Sequence, residues 1–414
     1  MLAELYSLGN RVKAVAWPPG MRTVAIFAAA MLILFARRPE TLMRAEFRHE
    51  DGQVFYLGTF FGSLGSVFEG YQGYVHVVPR LVALASRLFP VEWAPLVTNF
   101  LAFAITAGVA TFVASKRLSR AIPDDRLRLL IAMLLLLLPG SDELFGSITY
   151  APWWLAVFLV ARLVATPPRS TWMVVLDGVA LLLAGLSSPA VLLIFPLYLW
   201  HDRAAARWLV VPLVVQAAAL AIGNRIAPIG DYDPLTFGQI LITRAVLEPL
   251  LGARLTGSIS NLPDVLEFML AIGVLGLLTA TFRTLPRAAL LAGTYIVFAT
   301  VSAGLLASPE RGAVLLNTDA DQRYFFLAAA LMATGIMVSV WTMRRRSALL
   351  LAALLTVGVV VDFRMPMLPD LNWPHASTCI GGPSPCEVPV QQPEVWTIRW
   401  PGADGPYDPR PIGR

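Results

Sequence analysis

The amino-acid sequence predicts an all-α protein that crosses a membrane many times. Of its 414 residues, 57% are hydrophobic and only 14% are charged, whereas a soluble domain averages about 25% charged residues. The apolar residues are also grouped in runs that short polar segments separate, which is the pattern of membrane-spanning helices. Together these two observations exclude an ordinary soluble domain.

Each apolar run is a candidate spanning helix, and the chain holds about eleven of them. The runs are residues 21–35, 93–115, 127–139, 151–166, 171–185, 189–200, 208–223, 264–282, 288–306, 324–343 and 347–361. Several are shorter than the roughly 20 residues that a full crossing needs. We expect those helices to extend through amphipathic turns or to end at a water-filled cavity, where lipid does not reach the backbone.

The positive charges predict the orientation of these helices. Just over half of the 32 Lys and Arg residues lie in short segments on one side of the predicted spans. By the positive-inside rule this side is the cytoplasm, which also contains the N-terminus. The charge excess is therefore assigned to cytoplasmic loops and not to a nucleic-acid partner. Arg37 and Arg38, at the outer end of the first span, are a local argument against this orientation.

All long connecting segments then face outward, into the periplasm of a bacterial inner membrane. They are 38–92, 224–260, 307–323 and a tail that begins at 362. We divide the chain into a transmembrane domain, residues 1–361, and a Pro-rich outer tail, residues 362–414. Cys379 and Cys386 in the tail are predicted to form a disulfide in an oxidising compartment and to stay reduced in the cytoplasm.

The first candidate functional site is the acidic pair Glu50 and Asp51, which follows the first span and has His49 beside it as a possible substrate contact. An adjacent carboxylate pair is costly near lipid, so it invites a functional explanation. The alternative is a solvated turn, because His-Glu-Asp-Gly is ordinary turn chemistry. Between the two residues Asp51 is slightly favoured as a catalytic base, since Gly52 leaves it room.

Two apolar stretches follow the acidic pair, at 53–68 and 78–89. They have helical spacing but are too short to span, so we expect helices that lie along the membrane surface. A Gly- and Tyr-rich connection joins them and contains Tyr74 and His76. These two side chains are candidates for contacts with a headgroup or a sugar, and an ordinary hydrogen-bonded surface histidine is the alternative for His76.

Two further outer segments contain charged residues that a loop does not require. Asp142 and Glu143 form a second acidic pair after the third span, where a solvated helix end is the alternative explanation. Arg323 and Tyr324 begin a later span, where the alternative for Arg323 is a snorkelling anchor. Asp177, inside the fifth span, is a functional candidate by default, but a helix-packing role is favoured.

Together these motifs resemble the GT-C superfamily of membrane glycosyltransferases, which includes protein O-mannosyltransferases and aminoarabinose transferases. The shared features are an acidic pair in a long first outer loop, a second acidic pair in the next outer loop, and a late Arg-Tyr at the start of a span. Two features depart from the family pattern. Glu50 precedes Asp51, whereas an acidic pair in the family usually begins with Asp. The chain also lacks the large soluble C-terminal domain of many members.

The resemblance implies a role for each motif. Glu50 or Asp51 is the catalytic base, Asp142 and Glu143 support the acceptor or a divalent cation, and Arg323, with Tyr324 beside it, holds the lipid phosphate. The implied donor is a polyprenyl-phosphate-linked sugar, and the acceptor is a lipid, a glycan or a protein.

The same chemistry follows from the outward location. Nucleotide sugars are absent outside the cytoplasm, so an activated sugar has to arrive on a lipid. Transfer needs a carboxylate that accepts a proton from the acceptor hydroxyl and a cation that stabilises the departing phosphate. A single displacement inverts the anomeric configuration.

Two other functions explain part of the pattern. A flippase or transporter of a lipid-linked saccharide requires alternating access and usually has two repeated halves, and the sequence has no visible repeat. An O-antigen ligase or polymerase would use a large late outer loop, whereas segment 307–323 is short.

Overall fold

A computed structural model describes residues 20–62, 64–223, 231–259, 264–283, 288–317, 321–343, 345–391, 396–402 and 405–408. This part of the chain is α-helical apart from two small antiparallel sheets. The first ten helices are α1 Met21–Arg37, α2 Glu40–Met43, α3 Gly58–Phe61, α4 Val77–Ser86, α5 Ala94–Ala114, α6 Asp125–Leu135, α7 Ala151–Val164, α8 Thr171–Gly185, α9 Val191–His201 and α10 Arg203–Ile222.

The remaining helices are α11 Pro234–Ile240, α12 Glu248–Leu251, α13 Ala253–Ile259, α14 Asp264–Phe282, α15 Ala288–Leu306, α16 Pro309–Asn317, α17 Arg323–Met343, α18 Arg346–Val361 and α19 Trp373–Ala376. The strands are β1 Gly70–Tyr71, β2 Tyr74–Val75, β3 Cys386–Pro389 and β4 Thr397–Trp400. Asp51–Tyr56 and Leu241–Leu247 are π-helical, and short 3₁₀ turns lie at Leu64–Phe68, Val91–Trp93, Lys116–Leu118, Asp142–Leu144, Ile148–Tyr150 and Ser377–Cys379.

Each of the eleven predicted apolar runs contains a helix. In the described part of the chain, three helices are both long and apolar enough to cross a membrane: Val91–Ala114, Arg203–Ile222 and Arg323–Met343. The others are shorter, as their short apolar runs led us to expect. The all-α class is thus confirmed with three candidate spans, and the count of about eleven crossings stays a prediction.

Small residues bring the apolar helices close together. A Cβ atom at Gly178 of α8 would lie only 2.2 Å from the Trp208 ring of α10, and one at Gly185 would lie 2.7 Å from Pro212. Only glycine permits this approach of the two helices. In lipid the hydrophobic effect does not drive helices together, so close van der Waals packing at small residues has to stabilise such an interface.

One end of the helices is joined by a network of ion pairs. Arg117 donates two hydrogen bonds to the Asp177 carboxylate, at 2.9 and 2.7 Å. Arg162 donates to Asp177 at 2.6 Å and to Asp202 at 3.1 Å. These are the segments predicted to face the cytoplasm, and Asp177 has the helix-joining contacts expected from its packing role.

The predicted outer segments meet at the opposite end. The Gly140 amide donates to the Asp362 carboxylate at 3.0 Å, and the Asp233 amide donates to the Ala307 carbonyl at 2.8 Å. Segments far apart in sequence therefore share one face of the helical assembly. That this face is the outer one is a prediction from the charge distribution.

The first outer loop differs from the expected pair of surface helices. Residues 53–68 do not form one helix, because the π-helix Asp51–Tyr56, α3 and a 3₁₀ turn succeed one another there. Every side chain of the π-helix is buried, so this part cannot lie on a membrane surface. The second stretch does form a helix, α4. The connection between them is a β1–β2 hairpin whose turn residues Gln72 and Gly73 both have positive φ, as in a type I′ turn.

The C-terminal tail covers the π-helix. Ile398 and Trp400 of β4 lie in one apolar core with Val54 and Phe55. The predicted disulfide between Cys379 and Cys386 is present and closes the turn that leads into β3. The tail is therefore an ordered part of the fold, packed on the segment that follows the first acidic pair.

Segment 231–259 was expected to be a loop but is largely helical. Asp233 caps α11, since its carboxylate accepts from the Thr236 amide at 2.8 Å, and Pro234 occupies the first helical position. Within the π-helix that follows, Arg244 forms a buried ion pair with Glu248 at 2.6 Å. This segment contributes to the core beside the outer polar residues.

Candidate active site

Glu50, Glu143 and Arg323, which belong to three separate motifs of the sequence, lie in one cluster in the structure. Glu50 and Asp51, Asp142 and Glu143, and Arg323 are separated by up to several helices along the chain. In the fold their charges lie close enough to interact. The Arg323 charge lowers the pKa of the Glu50 carboxyl, and the Glu143 charge raises it. Asp319, which precedes the Arg323 motif, lies outside the described residues.

Arg323 begins α17 and is held by two carboxylates. Its guanidinium forms ion pairs with Glu143 and Asp321, and its backbone amide donates to Glu143 at 3.2 Å. The guanidinium carbon also lies 4.9 Å from the Tyr324 ring centre and 5.5 Å from that of Tyr150. Asp321 has a φ of 61°, a strained conformation for a residue with a side chain, of the kind often found at functional sites.

Glu50 is half-buried, as are Glu143 and Asp321 of the same cluster. Burial raises its pKa from 4.5 to about 7, Arg323 opposes that rise, and Asp51 and Glu143 add to it. His49, just before it, has a φ of 49°. A carboxyl that titrates near neutral pH is well matched to accepting a proton from an alcohol.

Asp51 has different surroundings. It is 1% exposed, and its carboxylate accepts four hydrogen bonds, from the Ser147 hydroxyl, the Ile148 and Thr149 amides and the Thr149 hydroxyl. Burial raises its pKa to about 6 against the lowering by these bonds. Asp51 therefore anchors the loop before α7.

Gly52 does not leave room beside Asp51, as the sequence suggested. A Cβ atom there would lie 2.7 Å from Ile398 of β4. Gly52 instead lets the tail approach the π-helix. Of the two acids, Asp51 is the one whose carboxylate is occupied by hydrogen bonds from residues 147–149.

Asp142 faces away from Arg323 and toward the end of α1. Its carboxylate lies 3.7 Å from the Arg37 guanidinium, and its backbone carbonyl accepts from Arg38 at 3.3 Å. Arg37 is 1% exposed and also donates to the Leu136, Asp362 and Phe363 carbonyls. The two acids of the second pair thus have different partners. Glu143 belongs to the Arg323 cluster, whereas Asp142 contacts Arg37 at the end of α1.

Arg48 lies beneath the cluster, where sequence reasoning did not assign it a role. It is 4% exposed, and its guanidinium donates to the Phe145 carbonyl at 2.5 Å. Its charge acts on Asp51 and Glu143, so it balances part of the buried negative charge. Its position next to the acidic pair was the available signal.

Aromatic rings pack around the cluster. Tyr150 packs against His49 at 5.0 Å between ring centres, and Trp153 packs against Tyr324 at 5.2 Å. The Tyr74 hydroxyl is near enough to Glu50 and Arg323 to feel their charges. Tyr150 and Trp153 were not predicted, because aromatic residues at a helix start fit an interfacial belt equally well.

The two histidines of these motifs, His49 and His76, are buried. Burial and the nearby arginines hold the pKa of His49 well below 6.5. The pKa of His76 falls to about 3, chiefly because of burial. The His76 ring contacts the Tyr74 carbonyl at 3.1 Å and packs 3.9 Å from the Tyr74 ring. His76 therefore supports Tyr74 from behind and does not face the cluster as a charged contact.

A metal site was left open by the sequence at Asp142 and Glu143. Among the described residues no group of three or more His, Cys, Asp or Glu side chains is arranged to hold a metal ion. In this geometry the two acids have arginine partners and point to different neighbours.

No protein-family model matches the chain, and neither does any curated protein or solved structure. The GT-C resemblance therefore stays a prediction from short motifs. The cluster itself combines a half-buried glutamate of raised pKa, an arginine anchored by two carboxylates, and packed aromatic rings.

Proposed function

We propose that this protein is a membrane glycosyltransferase that moves a sugar from a polyprenyl-phosphate donor to an acceptor hydroxyl on the outer face of the membrane. The observation that carries the proposal is the proximity of Glu50, Glu143 and Arg323 in one buried cluster, with Tyr74 and Tyr150 packed beside it. Aromatic rings are suitable partners for the apolar faces of a sugar, and a carboxylate with an arginine is what transfer from a phosphate requires.

In the proposed reaction Glu50 accepts the proton of the acceptor hydroxyl as its oxygen attacks the anomeric carbon. The bond between that carbon and the phosphate oxygen breaks, and the electron pair leaves with the phosphate. Arg323 stabilises the departing charge. Its Asp321 partner is 24% exposed, so a donor phosphate replaces that contact while Glu143 keeps the guanidinium oriented. One displacement inverts the anomeric configuration.

The decisive test is transfer by purified Glu50→Gln protein, with a polyprenyl-phosphate sugar as donor. The substitution preserves size and removes the proton acceptor, so we expect turnover to fall about 10²- to 10⁴-fold with little change in donor binding. Glu92→Gln is the matched control, because Glu92 is an exposed acid on the same loop. Near-normal transfer by Glu50→Gln would remove Glu50 from the chemistry.

Asp51→Asn separates positioning from catalysis. An asparagine presents an N–H group toward the amides and hydroxyls that now donate to Asp51, so hydrogen bonds are lost in a buried place. Each loss of this kind costs about 1–3 kcal/mol. We expect Asp51→Asn to lower the unfolding temperature, whereas Glu50→Gln leaves that temperature unchanged.

A further inference from the structure

A groove separate from the candidate active site opens where α1 and α18 end. It encloses about 470 Å³, within the range of small-molecule pockets in proteins. Two segments form its walls, one just after α1 and one just after α18. We call it the Arg44–Arg364 groove, and it is lined by Arg37, Pro39, Glu40, Met43, Arg44, Arg364, Met365 and Met367.

The groove lies at the level where two apolar helices stop. The Met365 amide donates to the Arg37 carbonyl at 3.4 Å, so the ends of α1 and α18 are side by side. Below this level both helices expose large apolar side chains, such as Leu32 at 67% and Val360 at 71%. If these helices are embedded in lipid, the groove sits at the boundary between the acyl chains and the headgroups.

The groove exposes apolar and cationic side chains together. Met43 is 73% and Met367 is 72% exposed, and the Arg44 guanidinium contacts the Met367 sulfur at 3.6 Å. Exposed methionines suit a flexible apolar ligand, because their side chains adapt to irregular shapes. Arginines beside them suit a phosphate, which the planar guanidinium binds through two parallel hydrogen bonds.

The rim arginines are available to a ligand. Arg44 pairs with Asp370 at 3.6 Å, but both side chains are about half exposed, and such surface pairs are weak. Within the described residues the Arg364 guanidinium has no hydrogen bond or ion pair, and it is exposed. Arg254 adds a third cation nearby, donating to the Arg364 carbonyl at 2.8 Å. Arg37 lies at the bottom of the groove, where it is buried and its guanidinium donates to backbone carbonyls, so it is not expected to contact a ligand.

We propose that the Arg44–Arg364 groove binds the headgroup of an anionic phospholipid. Its phosphate lies between Arg44 and Arg364, and the first part of its acyl region lies against Met43 and Met367. The methionines favour a lipid over a free anion, since an inorganic phosphate would gain nothing from them. The inference rests on the membrane embedding in the proposed function, but not on sugar transfer.

The test measures binding of fluorescent phosphatidylglycerol and phosphatidylcholine to purified protein in a neutral detergent. We expect phosphatidylglycerol to bind at least about tenfold more tightly, a difference of roughly 1.4 kcal/mol. The double variant Arg44→Gln/Arg364→Gln loses that preference. The control Arg169→Gln/Arg207→Gln, which removes two exposed arginines from other segments, keeps it.

Two further arms identify the ligand. Met43→Ser/Met367→Ser weakens lipid binding if the acyl region touches the methionines, and inorganic phosphate at millimolar concentration does not displace the lipid. Displacement by phosphate together with unchanged binding by the methionine variant would show an anion site without lipid recognition. Equal binding by the arginine variant and the wild type would end the proposal. The assay contains no sugar donor, so neither result depends on whether the protein transfers sugars.

Discussion

Glu50 and Asp51 are neighbours in the sequence, but their carboxylates have different chemical capacities. The Asp51 oxygens already accept four hydrogen bonds from residues 147–149. Glu50 lies near the aromatic rings and the Arg323 charge. A carboxylate occupied by donors is a poor proton acceptor, because those bonds stabilise its charged form. At the residue scale the two adjacent acids therefore differ in how many hydrogen bonds already occupy their carboxylates.

The pH dependence of transfer follows from the pKa of Glu50. A general base works when deprotonated, and burial raises the pKa of this carboxyl to about 7. We therefore expect turnover to rise with pH and to level off above about 7, falling about tenfold per pH unit well below that value. The measurement is the rate across pH 5 to 9 with saturating donor. A midpoint near 4.5, the value of a solvated carboxyl, would indicate that Glu50 is exposed or uninvolved.

Arg323 gives a second prediction at this scale. Loss of one partner from a buried charge pair costs roughly 2–5 kcal/mol, so Arg323→Ala should weaken donor binding by about 30-fold or more. Arg323→Lys should recover only part of the affinity, because a lysine is a point charge and cannot form two parallel bonds to a phosphate. A snorkelling anchor would behave differently, since lysine serves that role equally well. A donor-binding titration that gives full affinity for Arg323→Lys would refute the phosphate contact.

At the scale of elements, the C-terminal tail supports the segment that carries the acidic pair. The side-chain oxygen of Gln53, in the π-helix, accepts a hydrogen bond from the Arg399 amide at 2.8 Å. The Gln53 backbone carbonyl accepts one from the Tyr407 hydroxyl at 2.8 Å. A π-helix is an unusual local structure that often occurs at functional sites. Residues of the tail thus form hydrogen bonds with polar groups of the π-helix. The position of Glu50, just before that helix, therefore depends on residues more than three hundred positions away.

The disulfide is expected to stabilise this support. A covalent loop of the size between Cys379 and Cys386 contributes about 2–3 kcal/mol in the chain-entropy model. Cys379→Ser/Cys386→Ser should therefore lower the unfolding temperature and the transfer rate together, and the wild type under reductant should behave like the variant. Mass spectrometry without reductant should find the two cysteines linked. Two free thiols in protein purified without reductant would contradict both the bond and an oxidising location for the tail.

At the scale of the molecule, some features could be predicted from the sequence and others could not. Apolar runs predicted the helices, because burial and backbone satisfaction in lipid leave few alternatives. The contacts of Asp51 with residues 147–149 could not be predicted, since they join segments with no shared pattern. Arg37 and Arg38, the local argument against the predicted orientation, are buried at 1% and 3% exposure. Their enclosure explains how two arginines can lie at an end predicted to be poor in positive charge.

The helices within segment 231–259 could not be predicted for a different reason. They are too short for a helical period to be recognised above loop composition, and tertiary contacts such as that of Gln322 with Glu248 at 3.3 Å hold them in place. The cluster at the site was found because charges stand out in an apolar chain. The aromatic residues around it were missed because tyrosine and tryptophan do not stand out in an apolar chain.

The sidedness of the whole molecule gives the last prediction. Glu69, whose side chain is 67% exposed, precedes the candidate span Val91–Ala114, and the exposed Ser119 follows it. A single crossing between them puts the two positions on opposite faces of the membrane. Both native cysteines are in the disulfide, so a cysteine introduced at either position is the reactive thiol.

An impermeant thiol reagent added to intact cells should label Glu69→Cys and leave Ser119→Cys unlabelled, since the arginine-rich segments favour the cytoplasm. Labelling of both after permeabilisation is the control for reactivity. The reverse pattern would place Glu50 and Arg323 in the cytoplasm, where nucleotide sugars are available as donors and a lipid-linked sugar is no longer required. Labelling of both variants in intact cells would mean that Val91–Ala114 does not cross the membrane.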